Sequence, residues 1–568
     1  MKKLRILLAL LLCAALLCGC AGPTMIGALF SGGDDTPDFA DMVYERPQSA
    51  LDDFANNLSE LERALERGSS LHTVTSILDA CYEDYYRYDT MYTLAMIRSS
   101  LDMSDAYYAG ELSFCEEHYD GLQQMMDEMY YLCGASKMAQ SLEENYFWEG
   151  FAGEYADAEL SLYNEETLAL MQRESELMGE YRALIAEPVV TLENGERVSL
   201  YDYLLTADDA AYTEAQTAYY RQYNEPISRV YIELVKTRSA LAEALGYESY
   251  EEMAYQYSFG RDYSPQEAAR YLRDVRRLLV PLYRRLNSYE VDYGFLEEEE
   301  ELVALLQQVA QRMGGDVEES FSFMREHGLF DVGFRPNKAA KSFQTYLEDY
   351  EAPFVFVSPY EDDSDLLYFA HEFGHFTDAY VNKNASESID LAEVFSQSME
   401  YLVLDYLEGA LPEERLEKLR RFKWFGTLDT YVQQASFAAF EHAVYRADPE
   451  TLDADFLNAL SLQSAIDFGY YDGVSEEYYA MSWIDIPHFF EQPFYVVSYP
   501  VSNDVALQIW ALEQTEHGAG LQKLTELLPR EYYGMLDTVE AAGLESPFAP
   551  GRIAQVAKLL RDNLFGAQ

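Results

Sequence analysis

The segment His371-Glu372-Phe373-Gly374-His375 constrains this chain more than any other, because it spells H-E-x-x-H inside a helical pattern. Residues four apart lie on one face of an α-helix, so both imidazoles can reach a single metal ion. Glu372 lies about 100° further round the same helix, where it can hold a water molecule instead of binding the metal. The pattern predicts a zinc site in which the metal acidifies water and the carboxylate accepts the proton.

Catalytic zinc needs a third protein ligand and an open fourth position. The metzincin pattern is absent, because no H-x-x-G-x-x-H continuation follows His375. A second predicted helix, capped by Ser386 or Ser388, carries Glu393 and Glu400 on one face. Glu393 is the predicted ligand, since the seventeen residues between it and His375 permit an antiparallel return. Glu400 lies about 10 Å further along the helix and is the rival candidate for the third ligand. Its predicted role is to support the metal site.

The motif helix is predicted over 364–381, with Asp362, Asp363 or Ser364 at its N-terminus. Asp378 on this helix and Asp390 on the next are predicted to support the metal site. Carboxylates commonly orient a ligand histidine through its free N–H. On the sequence alone, either aspartate is also compatible with a surface charge.

Hydrogen-bond donors for a developing oxyanion are predicted near residue 490. His488 and the phenols of Tyr495 and Tyr499 can donate without competing as nucleophiles. The two tyrosines are four residues apart and would share a helical face. An aromatic cluster of this kind, considered alone, is more often part of a core.

Several ordered segments resemble the thimet oligopeptidase/oligoendopeptidase F family of zinc metallopeptidases, in particular its bacterial oligoendopeptidase F branch. The resemblance spans residues 150–560 and includes the segment Gly260–Pro265 followed by Val280-Pro281-Leu282. The other matching segments are H-E-F-G-H at 371–375, A-E-V-x-S-Q-x-x-E at 392–400, Q-x-x-F-A-x-F-E-H at 434–442, I-P-H-F-F at 486–490 and P-F-Y-V-V-S-Y at 493–499.

The resemblance implies a mainly α, zincin-like fold: a helical ellipsoid with a deep substrate channel and a small β-sheet beside the metal helix. Such a channel would admit unstructured oligopeptides and exclude folded proteins. The chain departs from the family pattern at Asp378, where relatives often have a histidine, and at Phe395, where they have proline. The implied roles are zinc binding by His371, His375 and Glu393, general base catalysis by Glu372, and oxyanion contacts by His488, Tyr495 and Tyr499.

The N-terminus reads as an export signal. A basic start precedes an apolar run over 7–17 that is too short for a comfortable membrane span. The run ends in Leu17-Cys18-Gly19-Cys20, which resembles the lipobox of bacterial lipoproteins. Cleavage before Cys20 and lipidation of its sulfur and amine are expected, giving an extracytoplasmic protein anchored to the cell membrane. An ordinary signal peptide is the alternative.

The formal net charge of −60 argues against nucleic acid and anionic lipid as partners. Of the cysteines after Cys20, namely Cys81, Cys115 and Cys133, none has C-x-x-C spacing, so neither a disulfide framework nor a cysteine metal site is predicted. The 48 tyrosines favour half-buried helix packing over ligand stacking.

Helical periodicity dominates the chain from residue 46 onward. The segment 187–195 breaks this pattern with Pro188, Asn194 and Gly195. A short strand at 353–358 precedes the motif helix, and it is compatible with a peptide-binding edge or with a plain core strand. The predicted organisation is a leader at 1–19, a lipidated tether at 20–45, a helical region at 46–190 and a catalytic domain at 191–565.

Together these observations predict a zinc oligoendopeptidase that cleaves short peptides internally, with one Zn²⁺ per chain. An inactive peptide-binding lipoprotein is the alternative outside enzymes. An aminopeptidase of the gluzincin type is the alternative within them, although the G-x-M-E-N segment typical of that class is absent from the sequence.

Overall fold

The computed structural model describes most of the chain beyond the leader. The leader, Cys20, Asp362, Asp363 and Ser386 lie outside the described residues, so the predictions made for them concern sequence alone. The described residues are 36–148, 150–156, 165–186, 188–200, 203, 207–286, 299–335, 337–359, 364–383, 388–471, 473–528 and 534–566.

The described residues form mainly α-helices. The helices before the motif are α1 Gln48–Arg67, α2 Leu71–Leu101, α3 Ala106–Gly134, α4 Ala139–Asn145, α5 Phe151–Ala156, α6 Glu165–Ala186, α7 Asp209–Ala244, α8 Tyr250–Met253, α9 Pro265–Leu278, α10 Val280–Leu286, α11 Glu299–Met313 and α12 Gly315–Glu326. Those from the motif onward are α13 Asp365–Asn382, α14 Ile389–Tyr406, α15 Glu413–Tyr445, α16 Ala454–Phe468, α17 Glu476–Met481, α18 Pro487–Glu491, α19 Ser498–Thr515, α20 Ala519–Leu527, α21 Met535–Ala541 and α22 Arg552–Phe565.

The strands in the described part of the chain form two small sheets. The break predicted at 187–195 contains β1, Val189–Thr191, which pairs antiparallel with β2, Arg197–Ser199. The second sheet has the order β3-β5-β4, with β3 at Phe330–Asp331, β4 at Phe343–Leu347 and β5 at Ala352–Phe356. The central strand β5 runs parallel to β3 and antiparallel to β4.

The chain divides into two compact units, each assembled from separate stretches of sequence. The first unit contains α1–α5, α11–α13 and the three-stranded sheet. In it, α13 packs against β4, β5 and α12, so the small sheet lies beside the motif helix as predicted. The thiols of Cys81, Cys115 and Cys133 are buried and free.

The second unit contains α6–α10, α14–α22 and the β1–β2 hairpin. Its core is rich in aromatic side chains, and Tyr181 stacks on Phe490 with the ring centroids 3.7 Å apart. Tyr220 and Tyr231 are also almost completely buried, which supports packing as the reason for the high tyrosine content. Helix α14 packs along α19, bringing residues near 393 close to residues near 499.

The strand predicted at 353–358 is observed as β5, shifted by one to two residues. Its suggested role as a peptide-binding edge is wrong, because β5 is paired on both sides and all five of its residues are buried. Within the described sheet β4 is the antiparallel edge strand. None of the described helices combines the length and the apolar character that crossing a membrane requires.

Candidate metal centre

The two histidines of the motif lie on one face of α13. Their ring centroids are 4.9 Å apart, and the ring planes are inclined at 82°. His375 is 5% exposed and Glu372 is 6% exposed, whereas His371 is only partly buried. Where α13 packs against α12, Thr377 Oγ1 lies 3.0 Å from Ser320 Oγ. The packing of this helix therefore holds two potential metal ligands in fixed positions.

Glu393 lies one turn into α14. The hydroxyl of Ser388 accepts a hydrogen bond from the amide of Leu391 and caps this helix, as one of the two predicted caps. Glu393 is fully buried. Its Oε1 accepts a hydrogen bond from the Tyr495 hydroxyl at 2.9 Å, and its Oε2 accepts one from Gln397 Nε2 at 3.3 Å. The hydroxyl of Ser396 also donates to Oε2 at 3.3 Å. A buried charge requires such partners, and these contacts orient the carboxylate.

The structure brings together potential ligand atoms of His371, His375 and Glu393. These atoms all lie within 4.8 Å of one another. Two imidazole nitrogens and one carboxylate oxygen form a donor set typical of catalytic zinc. Ligands bound at about 2 Å to one ion lie within about 4 Å of each other, which is close to the separations of these atoms. The residues therefore fit a zinc ion in both chemistry and proximity.

The other carboxylates predicted near the metal have partners of their own. The predicted support of the metal site by Glu400, and the predicted orientation of the ligand histidines by Asp378 and Asp390, are not tested by these contacts and stay predictions. The pairs are Glu400 with Lys423 at 2.8 Å, Asp378 with Asn382 at 2.9 Å and Asp390 with Arg261 at 3.5 Å.

His488, Tyr495 and Tyr499 form one aromatic cluster in the second unit. The His488 ring lies 4.9 Å from that of Tyr495 and 6.1 Å from that of Tyr499, and the two tyrosine rings are 5.2 Å apart. Tyr495 begins a single 3-10 turn that leads directly into α19. His488 and Tyr495 are buried, whereas Tyr499 is partly exposed.

Burial determines the protonation of this cluster. Desolvation lowers the pKa of His488 to about 4, so the imidazole is neutral at physiological pH. Burial, together with the negative charge of Glu393, raises the pKa of Tyr495 well above its ordinary value. The cluster therefore offers one neutral imidazole and a protonated phenol as hydrogen-bond donors.

Comparison with known proteins identifies the family. Residues 39–158 match the Peptidase M3 N-terminal domain, and residues 316–530 match Peptidase family M3. The two matches together cover more than half of the chain, and the second contains the three potential metal ligands. The chain belongs to peptidase family M3.

One relative of this M3 chain is the Group B oligopeptidase PepB of Streptococcus agalactiae serotype III (strain NEM316). The two are 25% identical over 367 residues, and the match covers 55% of this chain and 57% of the relative. The chain therefore matches less than two thirds of that protein's length.

Solved structures share the fold over almost the whole chain. A structure provisionally described as oligoendopeptidase F superposes with a TM-score of 0.78 at 24% identity, covering 94% of this chain and 99% of that one. PZ peptidase A, solved with an inhibitor, gives a TM-score of 0.79 at 21% identity, covering 93% of this chain and 99% of that one. A structure from Bacillus anthracis str. Ames, with the same provisional description, gives 0.72 at 23% identity, covering 94% and 98%. The M3 chain therefore has the fold of these peptidase structures.

Sequence reasoning assigned no role to three further buried residues of this M3 chain, Arg261, Glu441 and Phe494. Arg261 donates a hydrogen bond to the carbonyl of Phe494, and Glu441 accepts one from the amide of the same residue. All three lie in segments whose pattern resembles the family, which was the available signal. Only the structure shows that Arg261 and Glu441 both bind the backbone of Phe494.

Proposed function

We propose that this chain is a zinc-dependent oligoendopeptidase that hydrolyses internal peptide bonds of short unstructured peptides. The observation that carries the proposal is the proximity of His371, His375 and Glu393 in a chain of peptidase family M3. The buried Glu372 next to the first ligand histidine adds the proton acceptor that hydrolysis requires. The names of the relatives, an oligopeptidase and structures described as oligoendopeptidase F, support the same class.

In this proposal the three ligands would hold one Zn²⁺. When bound, zinc lowers the pKa of water and polarises a carbonyl oxygen. Glu372 accepts the proton of the attacking water and passes it to the departing amine.

The aromatic cluster would have two functions, the orientation of the metal ligand Glu393 and the stabilisation of the substrate oxyanion. Tyr495 donates to Glu393, so we assign it the orientation of that ligand. Tyr499 is partly exposed in the same cluster and is the phenol that we assign to the substrate oxyanion, with neutral His488 as a second donor. The antiparallel edge strand β4, which packs against the motif helix α13, would bind substrate backbone by strand addition.

We infer further that the mature chain begins at a lipidated Cys20 and acts outside the cytoplasm. The basic start, the short apolar run and the lipobox-like Leu17–Cys20 support this location. Short peptides are the proposed substrates. The net charge of −60 disfavours nucleic acid as a partner.

The deciding experiment is mass spectrometry of a quenched peptide-library digest, with and without a chelator, using the wild type and Glu372→Gln. We expect internal cleavage by the wild type, none after chelation, and none by Glu372→Gln despite an unchanged zinc content. The conservative amide keeps the size of the side chain and removes only its ability to accept the proton. Substantial turnover by Glu372→Gln would refute the mechanism. Stepwise loss of N-terminal residues would indicate an aminopeptidase, and binding without cleavage would indicate an inactive peptide receptor.

A further inference from the structure

The backbone immediately before Tyr495 adopts a conformation that requires support. Phe494 has φ 69° and ψ 8°, the left-handed region that a non-glycine residue occupies only at a cost in free energy. Such conformations persist where the surrounding structure over-determines them, and they concentrate at functional sites. Here the conformation sets the direction in which the chain enters the turn that carries Tyr495.

Two buried ionisable side chains hold the backbone of Phe494 from opposite sides. Its amide donates a 2.9 Å hydrogen bond to Oε1 of Glu441, which projects from α15. Its carbonyl accepts a 3.0 Å hydrogen bond from Nη2 of Arg261, and the same nitrogen donates to Ser498 Oγ at 2.8 Å. Both polar groups of this one residue are therefore bound to side chains from other parts of the second unit.

Arg261 also contacts the helix that carries Glu393. Its Nε lies 3.5 Å from Oδ2 of Asp390, and the two side chains are 1% and 2% exposed. Asp390 precedes Glu393 by three residues on α14, close to one helical turn. Arg261 thus touches the segments on both sides of the hydrogen bond between Tyr495 and Glu393.

The local sequence explains how Arg261 reaches this point. Arg261 follows a single π-helical turn at Ala254–Ser258. It comes directly after Gly260, whose φ is 52°. Turns of this type are frequent at functional sites. The guanidinium carbon lies 4.5 Å from the ring centroids of both Tyr255 and Phe259, so aromatic faces shield the charge from solvent.

We propose that Arg261 and Glu441 are positioning residues that align the phenol of Tyr495 with the metal ligand Glu393. They act through Phe494, and Arg261 acts also through Asp390. The proposal rests on the proposed function, because it assigns the aligned pair to a zinc site. The competing explanation is that both side chains contribute only to the stability of a buried region.

Glu441 offers a matched pair of variants. Burial raises its pKa to about 8, so the side chain is mostly a neutral carboxylic acid at pH 7. A glutamine has nearly the same shape and keeps an oxygen that can accept the Phe494 amide. Glu441→Gln should therefore preserve the contact, whereas Glu441→Leu removes it at similar volume.

The test is a double-mutant cycle between Glu441→Leu and Tyr495→Phe, at pH 7, on the full mature chain. We expect Glu441→Leu to lower kcat and zinc affinity by about tenfold with little change in KM, as loss of a residue supporting a ligand does. Glu441→Gln should stay within about twofold of the wild type. In the Tyr495→Phe background, Glu441→Leu should add less than about twofold, because its effect is transmitted through the missing hydroxyl.

A second readout does not depend on turnover. The visible spectrum of the cobalt-substituted protein reports ligand geometry, and we expect Glu441→Leu and Tyr495→Phe to change it in the same way. Multiplicative effects of the two substitutions, or an equal loss in Glu441→Gln, would overturn the proposal. A change in thermal stability with unaltered zinc affinity and cobalt spectrum would do the same.

Asp390→Asn tests the other end of the arrangement if Glu441→Leu does not fold. It keeps the shape of the side chain and removes the charge facing Arg261, and it should lower zinc affinity without additional loss in the Tyr495→Phe background. Failure of the proposed function is distinguishable, since it appears as a wild type without chelator-sensitive peptide cleavage. The zinc affinities and cobalt spectra still decide the role of the two positioning residues in that case.

Discussion

The phenol of Tyr495 donates a 2.9 Å hydrogen bond to Oε1 of Glu393. Both side chains are almost completely buried, so no solvent replaces either partner. Gln397 donates to the other oxygen of the same carboxylate. These hydrogen bonds therefore orient the side chain proposed as the third zinc ligand, and its alignment depends on a residue 102 positions away.

Tyr495→Phe should weaken zinc binding. The change removes one hydrogen bond to a charged, buried carboxylate, a contact worth about 1.5–3 kcal/mol, so we expect a loss of affinity of roughly ten- to a hundredfold. Competition with a chromophoric chelator measures this directly. Tyr499→Phe is the matched control, because the two rings lie in one cluster and Tyr499 is the phenol assigned to the substrate, whereas Tyr495 donates to Glu393. It should keep zinc affinity and lower kcat more than it raises KM. Equal zinc affinities in wild type and Tyr495→Phe would contradict the assignment.

The choice of Glu393 over Glu400 predicts opposite metal contents. Glu393→Ala should lose zinc on dialysis, because the remaining two histidines give an incomplete ligand set. Glu400 instead forms a 2.8 Å ion pair with Lys423, so Glu400→Gln should retain one zinc per chain. Elemental analysis of both dialysed proteins distinguishes the two glutamates. Zinc retained by Glu393→Ala and lost by Glu400→Gln would reverse the assignment.

The burial of His488 predicts a pH dependence of stability. Its pKa is lowered from 6.5 to about 4, so the unfolded chain takes up a proton on acidification before the folded chain does. The contribution of this residue to the free energy of unfolding is complete above pH 6.5 and declines as the pH falls toward 4. Between pH 7 and pH 5 the decline should be about 2 kcal/mol.

His488→Gln is the comparison for this effect, because its side chain does not titrate. Urea unfolding of metal-free protein, followed by tryptophan fluorescence, should show a smaller loss of stability from pH 7 to pH 5 in the variant than in the wild type. Parallel losses in the two proteins would mean that His488 is not held neutral by burial.

The proximity of His371, His375 and Glu393 was largely predictable from the sequence. The spacing of His371 and His375 placed both rings on one helical face, and the return distance to Glu393 selected a ligand that the structure brings close. The proximity was predictable because helical periodicity converts sequence distance into direction, whereas the role of the three side chains as zinc ligands stays a prediction. The mainly α fold and the small sheet beside α13 followed from the same periodicity and from the family resemblance.

Relationships between distant segments were not predictable in the same way. The strand at 352–356 has the composition of both an edge and a core strand, and only its two neighbours show that it is central. The contacts of Phe494 with Arg261 and Glu441 join residues 233 and 53 positions apart. No local periodicity encodes such pairings, because they depend on how helices of the second unit pack.

The lipobox-like segment predicts that Cys20 carries the membrane anchor. Cys20→Ala should abolish incorporation of an alkyne-labelled fatty acid, because the acceptor sulfur is lost and the signal for cleavage before residue 20 is altered. Cys18→Ala is the matched control, since it removes a neighbouring thiol that belongs to the leader. Its labelling and membrane association should equal those of the wild type.

Each acyl chain contributes about 0.8 kcal/mol per buried methylene, so the unlipidated body should partition into the soluble fraction once the leader is removed. Fatty-acid labelling that survives in Cys20→Ala would place the anchor elsewhere.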